Sequence, residues 1–471
     1  MREKTKRRRA VKNNHYNWNY DYSQTLWMKM FLARPDFKNN RSEVLITFEQ
    51  ALDIIKTVDS LTQGITKIIY LVGWQGLGHD DCFPEMEVVN DYLKRECDKD
   101  GRESLFWLFN EAKKYNTVVS FHGNLADAYS QNPSHEEFVK ANALCNGIDG
   151  KPAVIERFNN RDAFKTSYKQ YWESGLFKKY WDRFCEAVPV IEAGTVHLDN
   201  YCVAQSLNPY TTAQEDIEAR NKMLDYIASL GIDVTTEYTY REAELRAESH
   251  EHPIHYLYRT MGKPIPEVDW RSVPMHTLGR IPASWWTNNI TAAECVNIPP
   301  ALYSGHLTDS ALLAVFYGAM HGEDIWMEHG VKTGNWADEF LYQFCTLQLP
   351  YFYLNRYDRV NIVPDGEDYI AYFSDDIVSY GKTGTIVKNG VLLKEGGDVC
   401  LPLDKECETF IAYSENGRSG EWFMPDARFE KAKIYEITTD WNKYIGEADI
   451  RGGKISLTLA PGQAFAIKAE L

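Results

Sequence analysis

The alternation of amphipathic helical segments with short apolar segments constrains the fold of this chain more than any other feature. TFEQALDIIKTVDSLTQG, which starts at Thr47, has apolar residues at helical spacing, a capping box formed by Thr47 and Gln50, and a terminal Gly64. The next segment, TKIIYLVGW, is apolar and too short for a helix, as expected of a parallel strand covered on both faces. We therefore predict a helix followed by a parallel strand.

The same unit recurs along the first two thirds of the chain. Further helices are predicted near residues 104–115, over 162–187, and from a capping box at Thr212 and Glu215 to Leu230. The predicted strands are WMKMFLA (27–33), TKIIYLVGW (66–74), TVVSFHG (117–123), GTVHLDN (194–200), IDVTTE (232–237), VPMHTL (273–278), DIWMEH (324–329) and LPYFYLN (349–355). Eight such units predict the α/β class, as a (β/α)8 TIM-like barrel over residues 21–355.

The two ends of the chain have a different character. From Arg356 onward, short alternating strands such as EDYIAYFSDD and QAFAIKA are separated by Gly and Asp turns, which predicts a C-terminal antiparallel β-sandwich over 356–471. Residues 1–20 begin with MREKTKRRRA and are expected to form a basic, disordered tail. The sequence thus predicts a tail, a catalytic barrel and a β-sandwich.

Composition excludes several classes of function. The net charge of −16 argues against a nucleic-acid partner, which requires a basic face. The chain contains no apolar run of signal-peptide or membrane-spanning length, so we expect no membrane association and a cytoplasmic location. The nine cysteines are dispersed, which favours reduced thiols over a disulfide framework or structural zinc. The sequence leaves the oligomeric state open.

Two carboxylates follow consecutive predicted strands. Asp199 lies near the end of GTVHLDN, and Glu237 ends IDVTTE after the next helix. The carboxyl ends of barrel strands open into the active-site mouth, and neighbouring strands lie ~4.8 Å apart, so these carboxyl groups can lie ~5 to 6 Å from each other. That separation is typical of a retaining glycosidase. We therefore predict Asp199 as the nucleophile and Glu237 as the acid/base.

Other polar and aromatic residues follow the remaining predicted strands. Trp74 is expected to stack on a sugar face, and His79 and Asp80 to bind hydroxyl groups. The full set of candidate substrate-binding residues is Trp74, Gln75, His79, Asp80, His122, His197, Trp285 and Trp286. A lone Trp is more often a core residue than a sugar platform, and a lone His is more often a structural residue, but a shared position at one rim favours a binding role.

The segment GWQGLGHD resembles the Gly-aromatic-Gln-x-x-Gly-His-Asp motif of the catalytic domain of endo-α-N-acetylgalactosaminidases, glycoside hydrolase family 101, and the related family 129 α-N-acetylgalactosaminidases. The resemblance implies an Asp nucleophile after the fourth strand and a Glu acid/base after the fifth, at Asp199 and Glu237. It also implies that His79 and Asp80 help to bind N-acetylgalactosamine. Family 101 proteins are usually long and secreted, so this shorter chain is expected to trim imported glycans or glycopeptides.

Alternatives remain open from the sequence. An amylase-like α-glucosidase or α-galactosidase shares the Asp-then-Glu order, although His197 stands where that group has Arg. A non-catalytic carbohydrate-binding barrel would explain the aromatic residues equally well. His250, His252 and His255 could form a metal site, but their spacing matches none of the usual zinc motifs. We expect a carbohydrate substrate and neither a metal nor another cofactor.

Overall fold

The structure is a computed structural model. It describes residues 19–21, 24–158, 161–199, 206–236, 320–321, 336–354, 356–357, 359–365, 368–380 and 383–470. The predicted strands at 273–278 and 324–329, and residues 1–18 of the predicted tail, lie outside the described residues.

Helices accompany the strands in the described part of the chain that precedes the C-terminal domain. They are α1 (Phe48–Leu61), α2 (Gly101–Ala112), α3 (His135–Lys140), α4 (Tyr168–Glu173), α5 (Leu176–Ala187), α6 (Val190–Ala193), α7 (Ala213–Ser229), α8 (Trp336–Gln343) and α9 (Leu349–Leu354). The capping boxes predicted at Thr47 and Thr212 are both confirmed, because each threonine side chain accepts from the third helical N–H while the Gln or Glu at that position binds back.

Strands before the C-terminal domain are mostly short. They are β1 (Leu26–Phe31), β2 (Ala33–Asp36), β3 (Arg41–Val44), β4 (Lys67–Val72), β5 (Thr117–Asn124), β6 (Asp127–Tyr129), β7 (Glu156–Phe158), β8 (Arg161–Lys165), β9 (Thr195–Asp199), β10 (Asp233–Thr236) and β11 (Met320–His321). Six of them form one parallel sheet in the order β10-β9-β5-β4-β1-β11.

One face of this sheet is apolar and the other is polar. Side chains alternate between the two faces of a strand, so residues two apart share a face. The apolar face, which includes Val119, Phe121, Val196, Leu198 and Val234, belongs to the main hydrophobic core together with residues of α1, α2 and α7. The opposite face carries Ser120, His122, Asn124, Thr195, His197, Asp199, Asp233 and Thr235. The polar side chains of three neighbouring strands thus converge on one side of the sheet.

Two sequence predictions were wrong in detail. LPYFYLN (349–355), predicted as the eighth strand, is helical from Leu349 to Leu354 and continues α8 through a π-helical turn at Phe344–Gln348. A fully buried apolar run fits a buried strand and a buried helix equally well, and the π turn accommodates Pro350, which has no N–H to donate. The strand beside β1 is instead β11. The predicted helix over 162–187 begins as strand β8 and is interrupted at Gly175.

Asn19 and Tyr20 bind the amino-terminal end of the parallel sheet. The Asn19 backbone N–H donates to Asp233 at 2.9 Å, and its side chain donates to the carbonyl groups of Gly194 and Gly231. The Tyr20 hydroxyl donates to the carbonyl of Ala193. These two residues therefore cover the end of the sheet opposite to Asp199.

The C-terminal part is antiparallel. Its strands are β12 (Arg359–Asp365), β13 (Asp368–Phe373), β14 (Ile377–Tyr380), β15 (Thr385–Lys388), β16 (Val391–Glu395), β17 (Asp398–Pro402), β18 (Thr409–Ser414), β19 (Arg418–Phe423), β20 (Lys431–Glu436), β21 (Lys443–Asp449), β22 (Lys454–Leu459) and β23 (Gln463–Glu470). Ten of them form one sheet, while β19 and β22 form a second. A separate hydrophobic core, with Phe410, Trp422 and Ile455, lies between the two sheets.

Arg356 joins the two parts of the chain. Its guanidinium donates to the carbonyl groups of Leu403 at 2.7 Å and Asp404 at 2.6 Å, and its Nε donates to Gln24 beside β1. The predicted fold class is confirmed: a parallel α/β core precedes an antiparallel β domain. Among the described helices, none is both long and apolar enough to cross a membrane.

Candidate active site

Asp199 is the last residue of β9, on the polar face of the parallel sheet. Its side chain is 17 % exposed, and its Oδ2 lies 3.9 Å from Nε2 of His122 on the adjacent strand β5. The carboxylate is thus mostly removed from solvent but opens at the carboxyl end of the strands, where parallel α/β proteins place their catalytic groups. The structure therefore places the Asp199 carboxylate at the carboxyl edge of the sheet, where it is largely shielded from solvent.

Three imidazole rings lie in a row beside this carboxylate. The rings of His197 and His122, on paired positions of β9 and β5, have centroids 5.4 Å apart. The ring of His79, in the loop after β4, lies edge-on to His122 at 5.4 Å. Three of the sequence-predicted binding residues are therefore brought together. They form a polar wall along the site.

The environment of Asp199 changes its acidity. Burial raises the pKa of the Asp199 carboxyl to about 6, and the negative charges of Asp80 and Asp127 act in the same direction, while Lys29 and His79 oppose it. Desolvation is the largest cause, as expected of a carboxyl group that is only 17 % exposed. Asp199 is therefore ionised at neutral pH, with a carboxylate more basic than an exposed one.

Lys29 is a charged residue of the site that the sequence interpretation missed. It lies within β1, is 2 % exposed, and is the largest influence that lowers the pKa of Asp199. A lysine inside the apolar segment WMKMFLA was the available signal, because a buried charge requires a partner. The positive charge of Lys29 therefore favours the ionised form of Asp199.

Glycines shape the loop that carries His79 and Asp80. A Cβ on Gly73 would lie 2.1 Å from the carbonyl oxygen of Ala33, and one on Gly78 would lie 2.6 Å from the backbone of Arg34, and both residues have positive φ. The His79 N–H donates to that Ala33 carbonyl at 2.9 Å. The GWQGLGHD loop therefore packs backbone to backbone on β2, which only glycine permits at these positions.

Arg161, at the start of β8, fixes the same loop from the other side. Its guanidinium donates to the Asp81 carboxylate at 3.1 Å and to the Asp80 carbonyl at 2.5 Å. It is 2 % exposed and lies between the rings of Phe37 and Tyr129. His79 and Asp80 are themselves paired, with 3.3 Å between Nε2 and Oδ2. Arg161 thus positions the GHD motif, a role the sequence did not indicate.

Trp74 does not have the role predicted for it. Its ring is fully buried against Phe121 and Phe184, and its Nε1 donates to the carbonyl of His122 at 2.9 Å. A ring with no exposed face cannot stack on a sugar, so Trp74 holds β4 and β5 together beneath the site. Gln75 is also buried, at 1 % exposure.

Asp127 and Tyr129, on β6, extend the polar surface beyond Asn124. The Asn124 side chain donates to Asp127 at 2.8 Å, and Asp127 is also paired with Lys165. Burial, followed by the charges of Asp80 and Asp127, raises the pKa of the Tyr129 hydroxyl, which therefore stays protonated. These two residues are additions to the predicted set.

Several predicted site residues lie outside the described residues. They are the acid/base candidate Glu237, the aromatic residues Trp285 and Trp286, and the histidines His250, His252 and His255. The described part of the site therefore contains Asp199, His79, Asp80, His122 and His197 from the sequence prediction.

Carboxylates and imidazoles thus lie together at the strand ends of a parallel α/β core. Residues 33–252, slightly less than half of the chain, match the family model described as endo-alpha-N-acetylgalactosaminidase, glycoside hydrolase family 101. This segment therefore resembles a class of glycoside hydrolases, and the resemblance indicated by GWQGLGHD is confirmed over residues 33–252. Among curated protein sequences, none matches the chain.

Solved structures that align with this chain include a glycosidase and two amylases. The alpha-N-acetylgalactosaminidase NagBb from Bifidobacterium bifidum is 12 % identical, with a TM-score of 0.48 over 77 % of this chain and 58 % of its own. An Anoxybacillus alpha-amylase is 11 % identical, with a TM-score of 0.41 over 96 % and 99 %. The alpha-amylase from Geobacillus thermoleovorans is 9 % identical, with a TM-score of 0.42 over 96 % and 100 %. The chain spans less than two thirds of the bifidobacterial protein.

Proposed function

We propose that this protein is a retaining glycoside hydrolase that releases α-linked N-acetylgalactosamine, or Galβ1-3GalNAc, from glycans or glycopeptides. Asp199 is the nucleophile that attacks the anomeric carbon, and Glu237 is the acid that protonates the leaving oxygen and then the base that activates water. The match of residues 33–252 to the endo-alpha-N-acetylgalactosaminidase family supports this substrate class.

The register between β9 and β10 is the observation that carries the assignment. His197 is paired with Thr235, and their side chains meet, with 2.9 Å between Nδ1 and Oγ1. Side chains two residues apart share a face of a strand. Asp199 follows His197 by two residues, and Glu237 follows Thr235 by two. This spacing supports a pair of carboxylates on one face.

The charges around Asp199 suit a nucleophile. Lys29 and His79 favour the ionised carboxylate, and burial reduces its hydration, so that attack requires less loss of bound water. His122, 3.9 Å from the carboxylate, and the paired His79 and Asp80 present donors and acceptors for sugar hydroxyl groups. In this proposal these residues orient the sugar ring, while Asp199 forms the covalent glycosyl-enzyme bond.

A turnover screen tests the proposed specificity. The purified protein is assayed with para-nitrophenyl α-N-acetylgalactosaminide, α-galactoside, α-glucoside and the Galβ1-3GalNAc α-glycoside. Turnover confined to the N-acetylgalactosaminides is expected. Release of the monosaccharide would indicate exo action, and release of the disaccharide would indicate endo action. Hydrolysis of only the glucoside or galactoside would instead support an amylase-like enzyme, and the absence of turnover a carbohydrate-binding barrel.

Two variants test the proposed mechanism. Asp199→Ala is expected to lose nearly all turnover while it keeps its fold and its affinity for ligand. Glu237→Gln is expected to retain activity better on an aryl glycoside with a good leaving group than on a natural glycoside, because the former needs less proton assistance. Product stereochemistry, measured by NMR early in the reaction, should show retention. An inverted anomer would contradict the nucleophile assignment.

A further inference from the structure

Two exposed aromatic residues lie on the hairpin between β20 and β21, in the C-terminal domain. Trp441 is 65 % exposed and Tyr444 is 52 % exposed. The ring of Tyr444 packs edge-on against Tyr435 at 5.5 Å, which fixes its position. Both rings therefore gain little from burial at these positions.

The backbone conformation of residue 441 makes a tryptophan at this position more unusual. Its φ is +79°, in the left-handed region that bulky residues avoid. Glycine or asparagine would adopt this conformation with less strain, and neither burial nor backbone preference favours tryptophan at this position. Strain of this kind is a reason to look for a function.

Contacts with the parallel α/β core hold the hairpin in place. The Trp441 N–H donates to Ser60 Oγ at 2.9 Å, and the Ser60 hydroxyl donates to the Thr438 carbonyl at 2.7 Å. The Thr438 hydroxyl in turn donates to the Trp441 carbonyl. Both the N–H and the carbonyl group of Trp441 are thus hydrogen-bonded. The backbone that carries the indole is therefore held in place.

A neutral amide side chain, that of Asn442, follows Trp441 directly in the chain. The side chains of Gln63, at the end of α1, and Asn442 form two reciprocal hydrogen bonds, of 2.8 and 2.5 Å. The Asn442 amide still has a second N–H, and each amide oxygen has a second lone pair. An exposed ring beside neutral donors and acceptors matches a sugar, which has one face of C–H groups and a rim of hydroxyl groups.

We infer that Trp441, Tyr444 and the Gln63–Asn442 amide pair form a second carbohydrate-binding site, for a neutral pyranose unit of a glycan chain. Helix α1 ends just before β4 begins, so the site lies at the amino-terminal end of the parallel strands, whereas Asp199 lies at their carboxyl end. A site there would hold a long or branched glycan without taking part in bond cleavage. The inference is independent of the catalytic assignments.

A protein partner fits this surface less well than a sugar. Protein interfaces have a contiguous apolar centre depleted in charge. Here the exposed residues are mixed, because Asn442 and the exposed Lys443 come between Trp441 and the adjacent Tyr444 and Ile445 in the chain. The polar residues between the two rings favour a ligand that uses stacking and hydrogen bonds together.

Affinity electrophoresis of the full chain tests the site. Wild type and Trp441→Gly are run in native gels that contain soluble mucin glycoprotein, galactomannan or no glycan. We expect wild type to be retarded in at least one glycan gel, with the apparent affinity of Trp441→Gly weaker by roughly fivefold to tenfold, the scale of one aromatic stacking contact. Trp441→Tyr should keep part of the retardation, since it keeps a ring.

Controls separate binding from folding and from catalysis. Tyr92→Ala removes a ring of similar exposure, 51 %, elsewhere on the surface and should leave retardation unchanged. Trp441→Gly should unfold at the same or a higher temperature than wild type, because it relieves strain, and its kcat/KM on an aryl glycoside should not change. Equal retardation of wild type and Trp441→Gly, or none in any gel, would overturn the inference. So would a dimer in sedimentation that Trp441→Gly abolishes, because it would identify a second copy as the occupant.

Discussion

His197 Nδ1 and Thr235 Oγ1 lie 2.9 Å apart on paired positions of β9 and β10. Both side chains are buried, at 0 % and 1 % exposure, so solvent does not weaken this contact. The contact helps to fix the register between β9 and β10. Asp199 lies two residues after His197 on β9, on the same face of the strand. The position of the proposed nucleophile therefore depends on polar pairing inside the sheet as well as on the apolar core behind it.

The pH dependence of activity should report the raised pKa of Asp199. The nucleophile must be ionised, and its pKa is raised to about 6, so kcat/KM should fall roughly tenfold for each pH unit below about 6 and level off above it, up to a basic limb set by the acid/base. Lys29→Met removes the main influence that lowers this pKa, so the acid limb should move to higher pH. Lys169→Met, which removes a lysine paired with Glu215, is the control and should leave the limb in place.

The fold could be predicted from the sequence because its signals are local. The capping boxes at Thr47 and Thr212 and the apolar run at 67–72 each describe one element, and the structure has them where the pattern indicates. LPYFYLN failed because burial on all sides removes the periodicity that distinguishes a strand from a helix. The strand that does pair with β1 is β11, and this pairing is a long-range contact that no local sequence pattern indicates.

The site was predictable where residues lie near or just after the end of a predicted strand. Asp199 and His122 follow from that rule, and the structure brings them within 3.9 Å. Arg161 and Lys29 are separated from Asp199 by many residues in the chain and approach the site through the packing of β8 and β1, so their roles depend on tertiary contacts. Trp74 was misassigned because exposure, which decides between a sugar platform and a core residue, is not encoded in residue type.

Trp74→Phe should reduce stability without changing substrate affinity. The variant loses the hydrogen bond from Nε1 to the His122 carbonyl and part of a buried ring, which together cost about 2 to 3 kcal/mol of unfolding free energy. Trp422→Phe is a matched control, because Trp422 is also buried but its Nε1 makes no hydrogen bond. Denaturant unfolding should show the larger loss for Trp74→Phe. A raised KM with unchanged stability would restore the stacking role.

Arg161 and Asp81 should be coupled energetically. Arg161→Met leaves the Asp81 carboxylate, 10 % exposed, without its charged partner, and should cost about 3 to 5 kcal/mol of unfolding free energy. Adding Asp81→Asn removes the buried charge, so the double variant should be less unstable than the sum of the single variants. A double-mutant cycle measures this difference. Arg157→Met, which breaks an exposed pair with Asp162, should cost less than about 1 kcal/mol; strict additivity at Arg161 would contradict the buried pair.

Asp216 should make the protein less stable as pH rises. This residue of α7 is fully buried, and it accepts a hydrogen bond from the Lys169 N–H of α4 at 2.9 Å. Burial nevertheless raises the pKa of its carboxyl from 3.8 to about 6. The folded protein therefore binds this proton more tightly than the unfolded chain, and the stability gained from it is complete below pH 4 and lost as pH rises through about 6.

Asp216→Asn removes this titration. The unfolding free energy of wild type minus that of Asp216→Asn should decrease by about 3 kcal/mol between pH 4 and pH 6 and be constant outside this window. Glu215→Gln is the contrasting neighbour: hydrogen bonds to Lys169 and Thr212 lower the pKa of Glu215 to about 2, so its stabilisation is present above pH 4.5 and lost as pH falls toward 2. Urea titrations at several pH values measure both differences. The two stability differences should change in opposite directions with pH. Desolvation raises the pKa of Asp216, whereas hydrogen bonds lower the pKa of Glu215.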